Sequence, residues 1–179
     1  NGVKYNNHRN FNQQWHAGGI EITSTGASAQ IIGNEIGNNN GSGIWFDSVT
    51  GSGNVITNNY IHDNGPQEAG IFFEASHHGL IANNVLVNNN RRGIYISGSD
   101  DVKIYNNTVY GQQGLSGIEV LARNGVNSTN TIVKNNIIAN GTSSRDLYLS
   151  TGTGNASDYN DVYRSAGGIL MWNGVTKTL

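Results

Sequence analysis

Two carboxylates close matching pentapeptides. "GIWFD" at 43–47 returns 27 residues later as "GIFFE" at 70–74, so Asp47 and Glu74 occupy one position of a repeat. This pairing suits glycoside chemistry. In a retaining glycosidase one carboxylate attacks the sugar while a protonated partner, about 5–5.5 Å away, serves the leaving oxygen. Two acids at such a distance repel, and one of them holds its proton to higher pH, which is how such a pair divides its roles. Trp45 and Phe72 stand two residues before the acids, and Tyr95 takes the same position in the next unit. Flat rings in a stripe can hold the C–H faces of sugars. Glu21 opens that column one unit earlier, His16 lies just ahead of it, and His77 follows Glu74 in "EASHHG". The candidate site is therefore Asp47 and Glu74 as catalytic pair, with Trp45, Phe72, Tyr95, Glu21, His16 and His77 around the substrate.

Such a pair needs elements that place consecutive units side by side. Gly19-Ile20, Gly43-Ile44, Gly70-Ile71, Gly93-Ile94 and Gly117-Ile118 are separated by 24, 27, 23 and 24 residues. A second motif runs in phase: "ITNNYI", "IANNVL", "IYNNTV" and "IVKNNII", with a weaker "IIGNEI". Apolar residues alternate within these short segments, the period of strands. A unit of this size cannot bury its own apolar face, so the units must stack. The spacing predicts one interior column of Ile20, Ile44, Ile71, Ile94 and Ile118, and a second of Ile22, Phe46, Phe73, Ile96 and Val120. Asn34, Asn59, Asn84, Asn107 and Asn136 fall at one repeat position, where stacked amides form a buried ladder. On the opposite side of the opening strands, Glu21, Trp45, Phe72, Tyr95 and Glu119 make one outward column. Thr23, Asp47, Glu74, Ser97 and Leu121 make the other. Gly 25 against Pro 1, with abundant Asn, fits frequent turns in left-handed backbone.

The pattern resembles the right-handed parallel β-helix of pectin-lyase-like proteins over nearly the whole chain. The expected fold is all-β, a single solenoid domain over 1–179 of about six coils. "DLYLS" and "GGILMW" read as two further coils, and "VKYNNHRNF" as part of an earlier coil lacking its first strand. The end, "TKTL", carries no sign of a cap. The chain is thus expected to be a segment of a longer β-helix protein whose open ends meet further domains or chains.

Bulk composition narrows the partners. A net charge of −2 with 12% charged residues offers no basic surface to nucleic acid. Cysteine is absent, which removes disulfides and thiolate metal sites. No apolar run reaches the length of a membrane span. The chain begins at Asn1, as a processed or excised piece would. A secreted or cell-surface setting is expected, with the cytoplasm left open.

"WHAGGIEI", "GIWFDS" and "GIFFEASHHGLIANN", in that order, resemble central coils of the glycoside hydrolase family 120 β-xylosidases. The resemblance implies a retaining mechanism with Asp47 as nucleophile and Glu74, ahead of Ser76, as acid/base, acting on sugars from plant or other polysaccharides. That family's chains are longer. Two other readings stay open: a lyase or epimerase on acidic glycans, and a non-catalytic glycan-binding or structural module. The lyase reading wants cations beside the pair. Asp100-Asp101 fall in a turn, no Arg or Lys shares the outward columns near Asp47 or Glu74, and Arg91 and Arg92 are the nearest basic residues. His77 and His78 lack a third ligand, so neither metal nor cofactor is expected. His62 and Asp63 read as turn residues.

Overall fold

The Asn-Asn pairs divide two tasks between neighbours. Asn58, Asn83, Asn106 and Asn135 adopt left-handed backbone, with φ of 57, 56, 55 and 56°, a conformation that Asn tolerates because its short amide bonds locally. Each first Asn bends the chain, and the second points inward. Asn34, Asn59, Asn84, Asn107 and Asn136 form the expected ladder, each Nδ2 donating to the Oδ1 of the next at 3.0–3.3 Å. Asn160 extends it at 2.8 Å.

The computed structural model describes residues 1–142, 144–164, 169–172 and 175–178. Its strands assemble into three sheets of seven, eight and six strands, one strand per sheet in each full turn of a parallel solenoid. The eight-stranded sheet carries the opening strands of the repeats: Gly18–Thr25, Ser42–Val49, Ile71–Glu74, Asn90–Ser97 and Gln113–Leu121. Registers match the predicted columns. Ile20 pairs with Ile44, Ile44 with Ile71, Ile71 with Ile94 and Ile94 with Ile118. Phe46 and Phe73 stack with centroids 5.4 Å apart. The two columns and their counterparts on the other sheets form one apolar cluster along the axis.

A second amide ladder, absent from the expectation, lies beside the opening strands. Asn39 Nδ2 donates to Asn64 Oδ1 and Asn64 Nδ2 to Asn89 Oδ1, both at 2.9 Å. It explains the glycine at 19, 43 and 70, while Val109 and Ile138 crowd the equivalent positions at Gly93 and Gly117. A Cβ on Gly43 would meet the Gly70 carbonyl oxygen at 2.6 Å and the Asn64 amide nitrogen at 2.9 Å.

Two end and turn assignments change. The strand Val175–Thr178 runs antiparallel to Ile169–Trp172, so the chain direction reverses at the end that was read as carrying no sign of a cap. Gly167 and Gly168 of "GGILMW", and Leu179, lie outside the described residues. His62 is a strand residue, 8% exposed, with its imidazole between Asp63 (2.8 Å) and Glu35 (3.1 Å). At the start, Gly2–Lys4 pairs with Glu35–Gly37 as the partial earlier coil requires.

The ladder makes a direct prediction. Asn84 Nδ2 donates to Ile56 O and Asn107 Oδ1, while its Oδ1 accepts from Asn59 N and Nδ2. Asn84→Ala removes all four bonds, leaves the buried Asn59 N–H without its acceptor, and is expected to cost roughly 1–3 kcal/mol. Thr108→Ala, at a half-buried position without such bonds, serves as control. Equal chemical-denaturation midpoints for the two variants would contradict a stabilising ladder.

Candidate active site

On the outer face of the eight-stranded sheet, Asp47 and Glu74 are register partners on adjacent strands. They open into a groove of about 610 Å3. Trp45, Asp47, Phe72, Glu74, Tyr95 and Ser97 form its floor, and Gln14, His16, Glu68, Ala122, Arg123 and Asn124 rise around it.

The aromatic residues do not make an exposed stripe. Trp45, Phe72 and Tyr95 are 7%, 3% and 9% exposed. Their rings stack on one another, Trp45 on Phe72 at 5.3 Å and Phe72 on Tyr95 at 5.0 Å with 2° between planes. The imidazole of His16 lies over Trp45 at 5.7 Å, and the Arg92 guanidinium sits 4.0 Å from the Tyr95 centroid. A 5.0 Å gap between Phe72 and Tyr95 leaves no room for a guanidinium, so Arg92 takes the outer face of Tyr95. Each ring face in this column is covered, and only ring edges reach the groove. The rings are a rigid floor rather than sugar platforms.

Glu74 is buried, at 7% exposure. Trp45 Nε1 donates to its Oε2 at 3.0 Å, and the Arg123 guanidinium contacts its Oε1. Arg123 was not legible from the strand columns. It comes from the hairpin after Gln113–Leu121, where Arg123 and Val126 exchange two backbone hydrogen bonds of 2.8 Å. Asn124 and Gly125 turn that hairpin with φ of 50 and 82°. Asn-Gly at the centre of a two-residue loop is a strong hairpin signal, and "ARNGV" contains it. Asp47 is half-buried and accepts a bond from Ser48 Oγ at 3.0 Å.

His16 contacts Glu21 through Nδ1. That hydrogen bond, then the Glu21 charge, pushes the imidazole above its usual 6.5; Asp47 adds to the rise and burial opposes it. An NMR titration should therefore place His16 above 6.5, and Glu21→Gln should lower the midpoint. An unchanged midpoint in that variant would remove the pairing. His16, Glu21 and Asp47 also bring one ligand-capable atom each within 4.8 Å of one another, a possible three-donor set for a divalent ion. The sequence reading missed it because the three come from one loop and two strands. A shared ion would have to part His16 from Glu21, which already touch.

His77 is not in the groove. It pairs with Asp100, and His78 with Asp101 at 3.3 Å, at the turn between the first and second sheets of the coil. Arg92 turns away from the pair: its Nε contacts the fully buried Glu119, which Arg145 also reaches at 2.6 Å, and its NH1 meets Glu68 at 3.2 Å.

The profile of the family described as right handed beta helix region matches residues 1–179. Among solved structures, the periplasmic alginate epimerase AlgG superposes with a TM-score of 0.70 at 21% identity, covering 82% of this chain and 36% of the enzyme. Two of its mutant forms give 0.71 and 0.72 at 22% identity, covering 81% and 82% of this chain and 36% of theirs. This chain thus spans about a third of those enzymes' length, and the likeness is one of fold. No curated protein matches the sequence.

Proposed function

From the premise that this chain belongs to the right-handed β-helix family, we propose that its groove is a carbohydrate-active site that hydrolyses a neutral glycan with retention. The observation that carries the reading is the in-register pair of Asp47 and Glu74 at the bottom of a sugar-sized groove. Strand neighbours lie about 4.8 Å apart, which suits two carboxyls working directly on one sugar rather than across an interposed water. The extracytoplasmic setting of the periplasmic neighbours agrees with the same reading.

The contacts around the pair divide the roles. Glu74, fixed in place by Arg123 and Trp45, is the nucleophile. Asp47, at the wetter edge, protonates the leaving oxygen and then activates water. This is the reverse of the roles that the family 120 resemblance implies, and the reason is Arg123.

Charge favours a neutral substrate. Asp47, Glu68 and Glu74 line the groove against Arg123 and His16, and Arg123 is already engaged by Glu74. An epimerase or lyase on an acidic glycan, the activity class to which the alginate epimerase neighbours point, would rely on Arg123 to meet the sugar carboxylate. It remains the second reading and would yield inverted or unsaturated uronates.

The test is the pH profile of aryl glycoside turnover in Arg123→Ala. Removing the cation raises the proton affinity of Glu74. A nucleophile must be ionised, so the acid limb of kcat/KM should move to higher pH. Movement of the alkaline limb instead would make Glu74 the acid. An unchanged profile would dismiss Glu74 from the chemistry.

A further inference from the structure

We infer that the substrate is a chain of several sugars, and that it runs from the Asp47/Glu74 groove across His16 onto a second subsite built by Trp15 and Phe11. The inference rests on the reading of the groove as a sugar site. A second groove of about 500 Å3 is lined by Phe11, Trp15, Asn7, Asn12 and His16, together with the start of the first opening strand. His16 lines both grooves, and Gln14, one residue before Trp15, lines the catalytic one. The two are therefore neighbours across a single side chain.

The second groove has what the first lacks. In the catalytic groove every ring face is covered, whereas Trp15 is 77% and Phe11 58% exposed. Arg9 covers one side of Phe11 at 5.0 Å, which leaves the indole as the open platform. Exposed indole beside hydrogen-bonding amides suits a ligand with flat C–H faces and hydroxyls. Among the described residues no Asp, Glu, Lys or Arg lines this groove, and Arg9 stands only at the back of Phe11, so the lining favours a neutral occupant, in agreement with the charge of the catalytic groove.

The subsite is also preformed. Asn7 brackets Phe11, its Oδ1 accepting from Phe11 N at 2.8 Å and its Nδ2 donating to Phe11 O at 2.9 Å. The same Nδ2 donates to Asn40 O at 2.7 Å, tying the loop to the solenoid. Trp15 N donates to Asn12 O at 3.0 Å. A ligand that lands here meets an ordered surface and spends little on arranging it.

The test is equilibrium binding by calorimetry, with xylo- and cello-oligosaccharides of one to six units as probes. The full chain carries Asp47→Asn so that the probes survive. Affinity should rise about tenfold or more between short and longer members as the indole is reached. Trp15→Ala in the same background should remove that gain. Tyr159→Ala, equally exposed at 77% but in the last turn between the second and third sheets, should keep it. Affinity independent of length, or a gain that survives Trp15→Ala, would overturn the inference. So would a dimer of the wild type that Trp15→Ala dissolves, since a second copy would then own the groove. Aryl glycoside hydrolysis without any length dependence sinks the subsite and leaves the hydrolase standing. Length-dependent binding that needs Trp15, in a protein that hydrolyses nothing, keeps the subsite and removes the hydrolase.

Discussion

Glu74→Ala is expected to turn over no glycoside, whatever its leaving group. Without the nucleophile the glycosyl intermediate cannot form, and the neighbouring Asp47 belongs to the other half of the cycle. Asp47→Ala should behave differently. Aryl glycosides with good leaving groups need little protonation and should still react, while poor leaving groups lose about 10^2–10^4-fold. Added azide separates the two variants. In Asp47→Ala it would attack the glycosyl-enzyme and give a glycosyl azide of retained configuration. In Glu74→Ala it would replace the missing carboxylate and give the inverted azide. Glu74→Ala frees Arg123, whose side chain is 37% exposed and can be solvated, so the fold should survive. If the two variants exchange behaviours, the roles implied by the family 120 resemblance return while the pair remains. Azide products from neither variant would argue against a covalent cycle.

Ile71→Asp should unfold the domain. Ile71 is fully buried between Ile44 and Ile94 in the central column. No partner waits there for a carboxylate, and burying an unpaired charge is among the few single changes that exceed about 4–5 kcal/mol. That is comparable with the whole stability of many domains, about 5–15 kcal/mol. In a solenoid each coil rests on its neighbours, and a break at this coil lies directly under Phe72 and Glu74. Loss of the cooperative thermal transition and of the strand signal in circular dichroism is expected. A variant melting within a few degrees of the wild type would show that the column is not the core.

The solenoid could be read from residues because its determinants are local and repeated. Gly-Ile, the alternating Ile and Phe positions, and the Asn-Asn pairs each recur at one spacing, and parallel stacking turns equal spacing into contact. The same logic located Asp47 beside Glu74 and Trp45 beside Phe72. What a column cannot convey is what covers it. The "outward" face was read as solvent-exposed, yet Glu119 there is fully buried and Phe72 nearly so, because the loops around His16, Glu68 and Arg123 fold over it. Those loops do not repeat, so their reach follows from tertiary packing alone. His77 was assigned to the site by closeness in sequence. Its strand ends at Glu74, and the turn that follows, with Ala75 at φ 44°, carries it round the corner to Asp100. The second ladder of Asn39, Asn64 and Asn89 was visible in "GNNN", "HDNG" and "VNNN", but it was masked by the sheer frequency of Asn in this chain.

The central claim is that Asp47 and Glu74 act together on one glycosidic bond with retention. Its most direct measurement is proton NMR of the anomeric signal in the first moments of aryl glycoside hydrolysis by the wild-type chain, before mutarotation mixes the anomers. The first sugar released should carry the configuration of the substrate, and Glu74→Ala should release none. An inverted first product, or undiminished hydrolysis by Glu74→Ala, would contradict it.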